Sequence, residues 1–471
     1  MALVLSGSTT ILTHATDTSN IGLGANAVDS ITTGDYNVGI GDSSLTANTT
    51  ASHNSAFGYF ALGNNTTGEY NVAIGNSALL DNTTGGANVA VGYNALANNT
   101  SAISNTAVGE GALFTNTTGA SNSAFGRSSL YYNTTGANNT AQGYEALKSN
   151  TTGHSNSALG RDALLSNTTG LNNSAVGYEA LRANTTASNN IAIGHSSLKA
   201  NTTGASNNAL GTQALTTNTT GDNNTAVGHV ALGDNTTGTR NSAVGYLALN
   251  ANTTGSWNSA VGAHSLKANT TGTYNCSLGD QSLLVNTTGA SNIAIGYNAL
   301  VANTVGDNNT AVGKGALDSS VDGDNNTGIG YGSDAPASTT SDSFTLGNSS
   351  IDNLRCNDTS ISSLSDSRDK TNVADIPLGL TFLNTVRPVS FDWDRRDGSM
   401  AGKKDFGFIA QELKAAADAT DYASHMRLVR EDNPDKLEAD PMKMFPILVK
   451  AIQELSAKNE ALLTRIEALE E

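Results

Sequence analysis

A serine and a lysine stand five residues apart at Ser365 and Lys370. A serine hydroxyl is a weak nucleophile until a neighbouring base takes its proton. A lysine acts as that base only when neutral, and because its reference pKa is about 10.4, burial is needed to favour the neutral form. Taken alone, a serine in a serine-rich stretch with a lysine nearby is ordinary surface sequence. Whether the pair does acyl chemistry therefore depends on the elements around it.

The other residues that could do chemistry form no constellation. The seven histidines show no ligand spacing, and the acidic residues of the first 347 positions are scattered singly. Metal sites need clustered ligands, and polysaccharide hydrolases need paired carboxylates in a cleft. Cys276 and Cys356 are no disulfide framework, so both are expected to be reduced. We expect no metal and no cofactor.

A glycine recurs every 17 residues from Gly24 to Gly347, which defines 20 units without an insertion. Positions are numbered here from that glycine as zero. Most units carry Asn at −4, Ala at −2, Val or Ile at −1, Ala or Ser at +3, Leu at +4 and Asn-Thr-Thr at +7 to +9. A fixed period of this size indicates a repeat architecture. Residues 20–347 are therefore predicted to form a β-solenoid shaft, whose stacked coils place Leu over Leu and Asn over Asn.

Each unit divides into a strand and turns. The small and β-branched residues before the glycine predict a short strand, which the glycine ends where a positive φ or a close backbone approach excludes a Cβ. The next stretch, such as residues 178–184, is either one helical turn or a second strand. Asn-Thr-Thr-Gly is predicted to be a turn. Its side chains are expected to form a hydrogen-bond ladder rather than to carry glycans.

The core of a single chain is predicted to be thin, because each unit offers only three or four small apolar side chains. Burial contributes about 25 cal/mol per Å² of apolar surface. The buried apolar area increases if several chains share the Leu and Val/Ile face. We therefore expect a homo-oligomer with its rods side by side. With coils about 4.8 Å apart, the shaft is on the order of 100 Å long.

Composition excludes several classes of protein. The 49 glycines lack the every-third-residue rule of collagen, and the unbroken phase argues against disorder. The formal charge of −17 makes nucleic acid a poor partner. Neither a signal peptide nor an apolar run long enough for a membrane span is visible, so we expect synthesis in a cytoplasm and no membrane insertion. Residues 1–19 are expected to be a cap or an attachment segment.

The repeats end after Gly347 in a Ser/Asp/Thr-rich stretch, predicted to be a linker or distal tip at residues 348–364. A separate domain is expected at 365–471, because 15 of the 24 Lys and Arg lie in residues 366–471. Residues 446–471 predict a parallel coiled coil whose Asn459 fixes the register, and Ile at a with Leu at d leans toward a dimer. The seam consists of Leu448, Ile452, Leu455, Asn459, Leu462, Ile466 and Leu469.

Three motifs of this domain resemble a known family. Residues 365–372 read Ser-Asp-Ser-Arg-Asp-Lys-Thr-Asn, residues 407–413 read Gly-Phe-Ile-Ala-Gln-Glu-Leu, and residues 450–455 read Lys-Ala-Ile-Gln-Glu-Leu. In this order they resemble the intramolecular chaperone domain of phage tail spikes and fibres, first known from endosialidases (peptidase family S74). The resemblance covers residues 365–471. The repeats are similar, much more loosely, to glycine-rich fibre and trimeric-adhesin repeats.

The resemblance implies that the domain trimerises, guides the preceding shaft into a trimeric fold and then cuts itself off. It implies a dyad with Ser365 as nucleophile and Lys370 as base, and a cleavage site at Ser365 and Asp366 whose side stays open. A dyad that is buried only after chains associate would stay silent until assembly is complete. The residues carried over as the chaperone motif are Arg368, Asn372, Gly407, Phe408, Gln411 and Glu412.

The sequence thus predicts a mainly β protein: a trimeric fibrous β-solenoid of 20 units, then an α-rich (α+β) chaperone domain that ends in a coiled coil. The implied function is that of a virion tail fibre, held at its N-terminus by another tail or baseplate protein and binding a host glycan or protein receptor. Tyr297 and Tyr331 are candidate receptor contacts, although packing between coils is the commoner use of such residues. The alternatives are a surface adhesin of similar build and a polysaccharide-degrading tail spike.

Overall fold

The computed structural model describes residues 19–351, 365–394, 401–431 and 437–470. The predicted attachment segment except Ser19, most of the 348–364 linker, Cys356 and Glu471 lie outside the described residues.

The repeats form a parallel β-solenoid, as predicted, in which each unit is one rung. Every rung contributes one three-residue strand at positions −3 to −1, and each strand pairs in parallel with the strand of the next rung. The partners are 17 residues apart, as in Ala175 with Ala192. The strands β1–β20 are Ile21–Leu23, Val38–Ile40, Ser55–Phe57, Val72–Ile74, Val89–Val91, Thr106–Val108, Ser123–Phe125, Thr140–Gln142, Ser157–Leu159, Ser174–Val176, Ile191–Ile193, Asn208–Leu210, Thr225–Val227, Ser242–Val244, Ser259–Val261, Cys276–Leu278, Ile293–Ile295, Thr310–Val312, Thr327–Ile329 and Phe344–Leu346.

The core of the shaft lies inside the single chain. Successive residues of a strand point to opposite faces, and the middle residue, usually Ala, points inward and is fully buried, as at Ala175. The leucine at +4 is fully buried in every rung from Leu45 to Leu317. The Ala or Ser at +3 lies beside it and is also buried. Each rung therefore closes its own small core against its neighbours.

The repeat glycine is required for both of the reasons that the sequence suggests. At Gly177 the backbone φ is +132°, and a Cβ would lie 2.5 Å from the carbonyl oxygen of Gly194 in the next rung. Such a contact is shorter than any side chain tolerates, so the rung spacing itself depends on this glycine.

The stretch after the glycine is neither a helical turn nor a second strand, and both alternatives were wrong. Glu179 and Leu181 have φ values of 54° and 51°, in the left-handed region. The amide of Leu181 donates to Ser197 O in the next rung at 3.0 Å, whereas the amide of Arg182 donates to Glu179 O at 3.3 Å. The amide of Glu179 donates to Arg161 O in the preceding rung at 3.1 Å, so amides alternate between neighbouring rungs and a local turn, a pattern that helical or extended backbone does not produce.

The predicted hydrogen-bond ladder is confirmed, and it consists of two asparagine columns inside the shaft. The side-chain amides of Asn173 and Asn184 both donate to Ala187 O, at 2.9 Å and 3.0 Å. Asn184 also donates to the side-chain oxygen of Asn167 in the preceding rung at 2.9 Å. The first threonine of each triplet adds an edge bond, as Thr185 Oγ1 does to Thr202 O at 3.2 Å. Buried amides of this kind are stable only because nearly all their donors and acceptors are paired.

The face of Leu and Val/Ile that several chains are expected to share cannot include the leucines, because they are buried within one chain. The residues at −1 point away from the core instead, and Val176 is 36% and Leu210 47% exposed. A single chain therefore buries its leucines without help from a second chain, and its row of Val/Ile side chains at −1 faces solvent. The trimer stays a prediction.

Within the described residues, the C-terminal part contains three short helices, one long helix and two small antiparallel sheets. Its helices are α1 (Leu380–Leu383), α2 (Ala410–Asp418), α3 (Ala423–Met426) and α4 (Phe445–Glu470), with 3-10 turns at Ser367–Asp369 and Pro441–Met444. Strands β21 (Val389–Asp392) and β22 (Lys404–Gly407) form one sheet, and β23 (Val429–Arg430) and β24 (Glu438–Ala439) form the other. The buried core of this part consists of Phe382, Leu413, Ala417, Met426, Leu428, Met444 and Ile447.

Candidate functional site

Ser365 and Lys370 lie side by side. The 3-10 turn Ser367–Asp369 reverses the chain, and the amide of Lys370 closes it by donating to Ser367 O at 3.3 Å. Lys370 Nζ then donates a hydrogen bond to Ser365 Oγ at 2.6 Å. This is the contact that a lysine needs in order to take the serine proton, once the lysine is neutral.

The acidic neighbour Asp366 is held by another cation. Its carboxylate caps the 3-10 turn by accepting from the amide of Arg368 at 2.9 Å, and it accepts from Arg368 Nη2 at 2.5 Å. The hydrogen bonds from the Arg368 side chain hold the pKa of Asp366 below its usual range. This pairing keeps one of the nearest carboxylates away from Lys370. Among the described residues, Lys370 forms no ion pair with Asp369.

The dyad is exposed to solvent within one chain. Both Ser365 and Lys370 are exposed, so the geometry for proton transfer is present without the burial that favours a neutral lysine. A neighbouring surface would have to supply that burial. The arrangement brings together a hydroxyl and an amine, the two groups that serine–lysine acyl transfer uses.

The second motif joins a strand to a helix. Gly407 ends β22 opposite Val389, where a Cβ would come within 3.3 Å of the Phe391 ring. Phe408 is half-buried against the core of this part, and α2 begins two residues later at Ala410. Gln411 and Glu412 lie in the first turn of α2 with their side chains exposed.

Glu412 pairs with Arg387, a residue that the sequence analysis did not single out. Arg387 Nε donates to Glu412 Oε2 at 2.9 Å, and Arg387 Nη2 donates to the second carboxylate oxygen. Such two-point pairs fix geometry as well as charge. The hydrogen bond from Arg387 lowers the pKa of Glu412, so the carboxylate stays ionised into acid solution.

Within the described ranges, no hydrogen bond or ion pair joins the first motif to the second. Asn372, at the end of the first motif, has a φ of 55° and lines a cavity together with Tyr422 and His425. Ser365 and Lys370 are thus brought together, whereas the second motif has contacts of its own, through Phe408 and Glu412.

The predicted coiled-coil segment is a helix of 26 residues, α4, which is partly buried in its first turns and exposed on all sides from Leu455 to Glu470. Ile447 and Ala451 pack into the domain. The seam residues point elsewhere: Ile452 is 66% exposed and Leu469 is 79% exposed. Asn459 is also exposed. The seam is therefore unpartnered in one chain, and the coiled coil itself stays a prediction.

A further contact joins α4 to α1. Glu454 Oε2 accepts from the amide of Leu380 at 2.9 Å, at the first turn of α1. Glu454 belongs to the third motif, and the sequence shows its position in that motif but not its partner. Its partner is a backbone group 74 residues away, so no sequence signal could have identified the contact.

Tyr297 and Tyr331 share one cation between them. Lys314, from the rung that separates them, lies 5.8 Å from the centre of the Tyr297 ring and 5.7 Å from that of Tyr331. Cation–π contacts of this kind occupy ring faces, so these tyrosines contact other rungs and are also exposed, by 45% and 65%.

The described ranges contain neither a candidate membrane span nor a metal-binding cluster. No helix there is long and apolar enough to cross a membrane. No group of three His, Cys, Asp or Glu side chains there is placed to hold a metal ion.

Comparison with known proteins identifies the C-terminal part. Residues 365–422 match the model of peptidase family S74, described as chaperone of endosialidase. The match begins at Ser365 and includes the first two motifs, which confirms the resemblance over these residues. No curated protein and no solved structure matches the chain. A chaperone-of-endosialidase segment behind a β-solenoid is typical of proteins of the tail-spike or tail-fibre kind.

Proposed function

We propose that this chain is the subunit of a phage tail fibre, a receptor-binding appendage whose C-terminal chaperone assembles a homotrimeric shaft and is then released by autoproteolysis. The observation that carries the proposal is the 2.6 Å contact between Lys370 Nζ and Ser365 Oγ at the first residue of the family match. A base and a nucleophile at this place can separate the helper domain from the shaft by cutting one peptide bond.

The chemistry follows from the dyad. Neutral Lys370 takes the hydroxyl proton of Ser365 while the oxygen attacks an adjacent peptide carbonyl, and the proton passes to the leaving nitrogen. The product is an ester on Ser365, which one water molecule hydrolyses to a carboxylate and the free hydroxyl. The reaction consumes one water for each peptide bond and turns over once.

Assembly would switch this reaction on. In one chain both dyad residues are exposed, and the apolar seam of α4 is open as well. Association of three α4 helices buries that seam and brings other chains near the 365–370 segment, where burial favours the neutral lysine. Cleavage then reports completed assembly and leaves the shaft without the helper that lowered its folding barrier.

Mass spectrometry of recombinant chains tests the proposal. The wild type is expected to yield a fragment of roughly 106 residues, because cleavage falls beside Ser365. The variants Ser365→Ala and Lys370→Ala are expected to remain full length, while Ser367→Ala, a neighbouring serine outside the dyad, still cleaves. The uncut variants should have the mass of three chains in light scattering. An intact wild-type chain in a folded trimer contradicts autoproteolysis, and a folded monomer contradicts the assembly role.

Host contact is proposed for the outward tyrosines near the distal end of the shaft. Tyr331 is the better candidate, since its side chain is 65% exposed and that of Tyr297 is 45% exposed. Both rings have one face toward Lys314. Tyr331→Ala should weaken binding of the purified fibre to host cells or their surface glycans. Tyr93→Ala, the same position near the other end, is the matched control, and equal losses for both variants would argue against a distal receptor site.

A further inference from the structure

One side of the shaft is a flat sheet whose outward residues form two columns, at positions −3 and −1. We call this surface the sheet face. The −1 column carries Val, Ile, Leu or Phe in 19 of 20 rungs, with Gln142 as the exception. These side chains are open to solvent in one chain: Leu159 is 45%, Ile193 39% and Val244 37% exposed.

The sheet face also carries no charge. None of its 40 positions is Asp, Glu, Lys or Arg, although the chain as a whole has a formal charge of −17. Copies of an acidic chain repel one another over most of their surface. The sheet face is where two copies can approach closely without burying a charged side chain.

The sheet face has the size of an interface between proteins. At about 4.8 Å per rung and 3.3 Å per residue, 20 three-residue strands cover roughly 90 by 10 Å, or about 900 Å². The −1 column makes about half of this area apolar, since 12 of the 20 residues at −3 are Ser, Thr or Asn, and apolar patches of about 300–600 Å² are often functional. A stable interface buries about 800 Å² on each partner. The sheet face is therefore large enough to hold two chains together.

We propose that the sheet face is the surface through which copies of this chain pack side by side, parallel and in register; the proposal rests on the homo-oligomer of the proposed function and names its contact surface. Periodicity identifies the occupant. A column of apolar side chains repeated at every rung over 20 rungs fits a partner with the same spacing over the same length, which a second copy supplies. The open seams of α4, at one end of every chain, favour parallel copies.

A native cysteine provides the test. Cys276 is an exposed free thiol at position −3 of the sixteenth rung, on the sheet face. In the full chain carrying Cys356→Ser and Lys370→Ala, a short bifunctional maleimide is expected to link Cys276 covalently between copies. The control moves the thiol to another position of the same rung, by combining Cys276→Ser with Thr288→Cys. Thr288 is exposed but lies off the sheet face, so this variant should not be linked.

The same experiment distinguishes parallel from antiparallel copies. An antiparallel pair would place the sixteenth rung opposite the fifth, about 50 Å away at 4.8 Å per rung, and would give no link. A second variant, Val244→Lys with Val261→Lys, puts charge on the sheet face and should abolish the Cys276 link. Thr254→Lys with Thr271→Lys, in the same rungs but off that face, should leave it unchanged, and circular dichroism should show both shafts folded.

The outcomes separate this inference from the proposed function. Trimeric mass with linking through Thr288→Cys instead of Cys276, or with no linking through either, overturns the sheet-face interface and leaves the assembly role standing. Monomeric mass overturns both. Binding of a monomer to glycans or lipid vesicles that is lost in the Val244→Lys/Val261→Lys variant would assign the sheet face to another occupant and would also overturn the inference.

Discussion

Asn303 and Ser320 occupy the same place in consecutive rungs, and the side-chain oxygen of Asn303 has no hydrogen-bond partner. In the asparagine column that ends at Asn303, each side-chain amide after the first donates to the side-chain oxygen of the asparagine at +7 in the preceding rung. Asn303 donates in this way to Asn286 Oδ1 at 2.8 Å. Ser320 is too short to continue the column, and its own hydroxyl is also unpartnered. The asparagine ladder therefore ends with buried, unpaired polar atoms, which are costly.

Ser320→Asn is expected to stabilise the shaft. The new amide can donate to Asn303 Oδ1 and to Gly323 O, as each +7 asparagine does in its own rung, and a net gain of about 1–2 kcal/mol in the free energy of unfolding follows from two hydrogen bonds. Chemical denaturation followed by circular dichroism measures it. Asp322→Asn, exposed in the same rung, should change stability little. A destabilised Ser320→Asn variant would contradict the ladder as the source of stability.

Gly177→Ala is expected to destabilise the shaft by roughly 3 kcal/mol or more, because left-handed strain and a steric clash add. A Cβ there would lie 2.5 Å from Gly194 O, a backbone atom that moves only if the rungs separate. The control is Gly315→Asn, where the φ of 61° is the one that Asn298 adopts in the preceding rung. This control should be tolerated, and equal losses in the two melting curves would show that the repeat glycine has no special role.

Much of the shaft could be predicted from its period alone. The glycine, the asparagine columns and the leucine at +4 recur without a gap, and stacking places each over its copy. The stretch after the glycine could not be predicted in this way. Residues such as Glu179, Ala180 and Leu181 have good helix propensity. The amide of Glu179 nevertheless bonds to the preceding rung and that of Leu181 to the next, so pairing between rungs overrides local preference.

The direction of the −1 side chains was predictable in principle. The middle residue of each three-residue strand is small in nearly every rung, which indicates that it faces a narrow core. Since neighbouring residues of a strand point to opposite faces, Val176 must face outward when Ala175 faces inward. At the candidate site, the spacing of Ser365 and Lys370 predicts their contact. The partners of Glu412 and Glu454 do not follow from the sequence, since they lie 25 and 74 residues away with no periodic signal.

The Arg387–Glu412 pair predicts how the C-terminal part responds to pH. The folded pKa of Glu412 is lowered, so its contribution to stability is present above the unfolded pKa and is lost as pH falls through the folded one. Arg387→Gln should lower the melting temperature of this part at pH 7. The difference from wild type should shrink as pH falls below the unfolded pKa of glutamate, about 4.3, and should vanish only below the lowered pKa of folded Glu412.

Fluorescence can follow that part alone. Trp393 lies in the C-terminal part and Trp257 in the shaft, so Trp257→Phe leaves a single reporter. Lys458→Gln, which removes a positive charge from exposed α4, is the control for net charge. A melting difference for Arg387→Gln that persists in acid would mean that the arginine acts through packing and not through the ion pair.

Arg368 is predicted to control the rate of self-cleavage by holding Asp366. Without the guanidinium, the Asp366 carboxylate is free to pair with Lys370 and to draw its amine away from Ser365 Oγ. Because solvent-exposed ion pairs are weak, Arg368→Gln should slow fragment release by no more than a few-fold. The measurement is the time course of the fragment on a denaturing gel.

The double variant Arg368→Gln/Asp366→Asn identifies the cause of that slowing. If the freed carboxylate is the competitor, its removal restores the rate to that of the wild type, although both partners of the 2.5 Å contact are then gone. If Arg368 instead acts by shaping the 3-10 turn Ser367–Asp369, the double variant stays slow, since Asp366 also caps that turn. Arg368→Gln should also shift the pH–rate profile, and adding Asp366→Asn should reverse that shift. This result would support competition by the freed carboxylate, because turn geometry alone does not depend on the ionisation of Asp366.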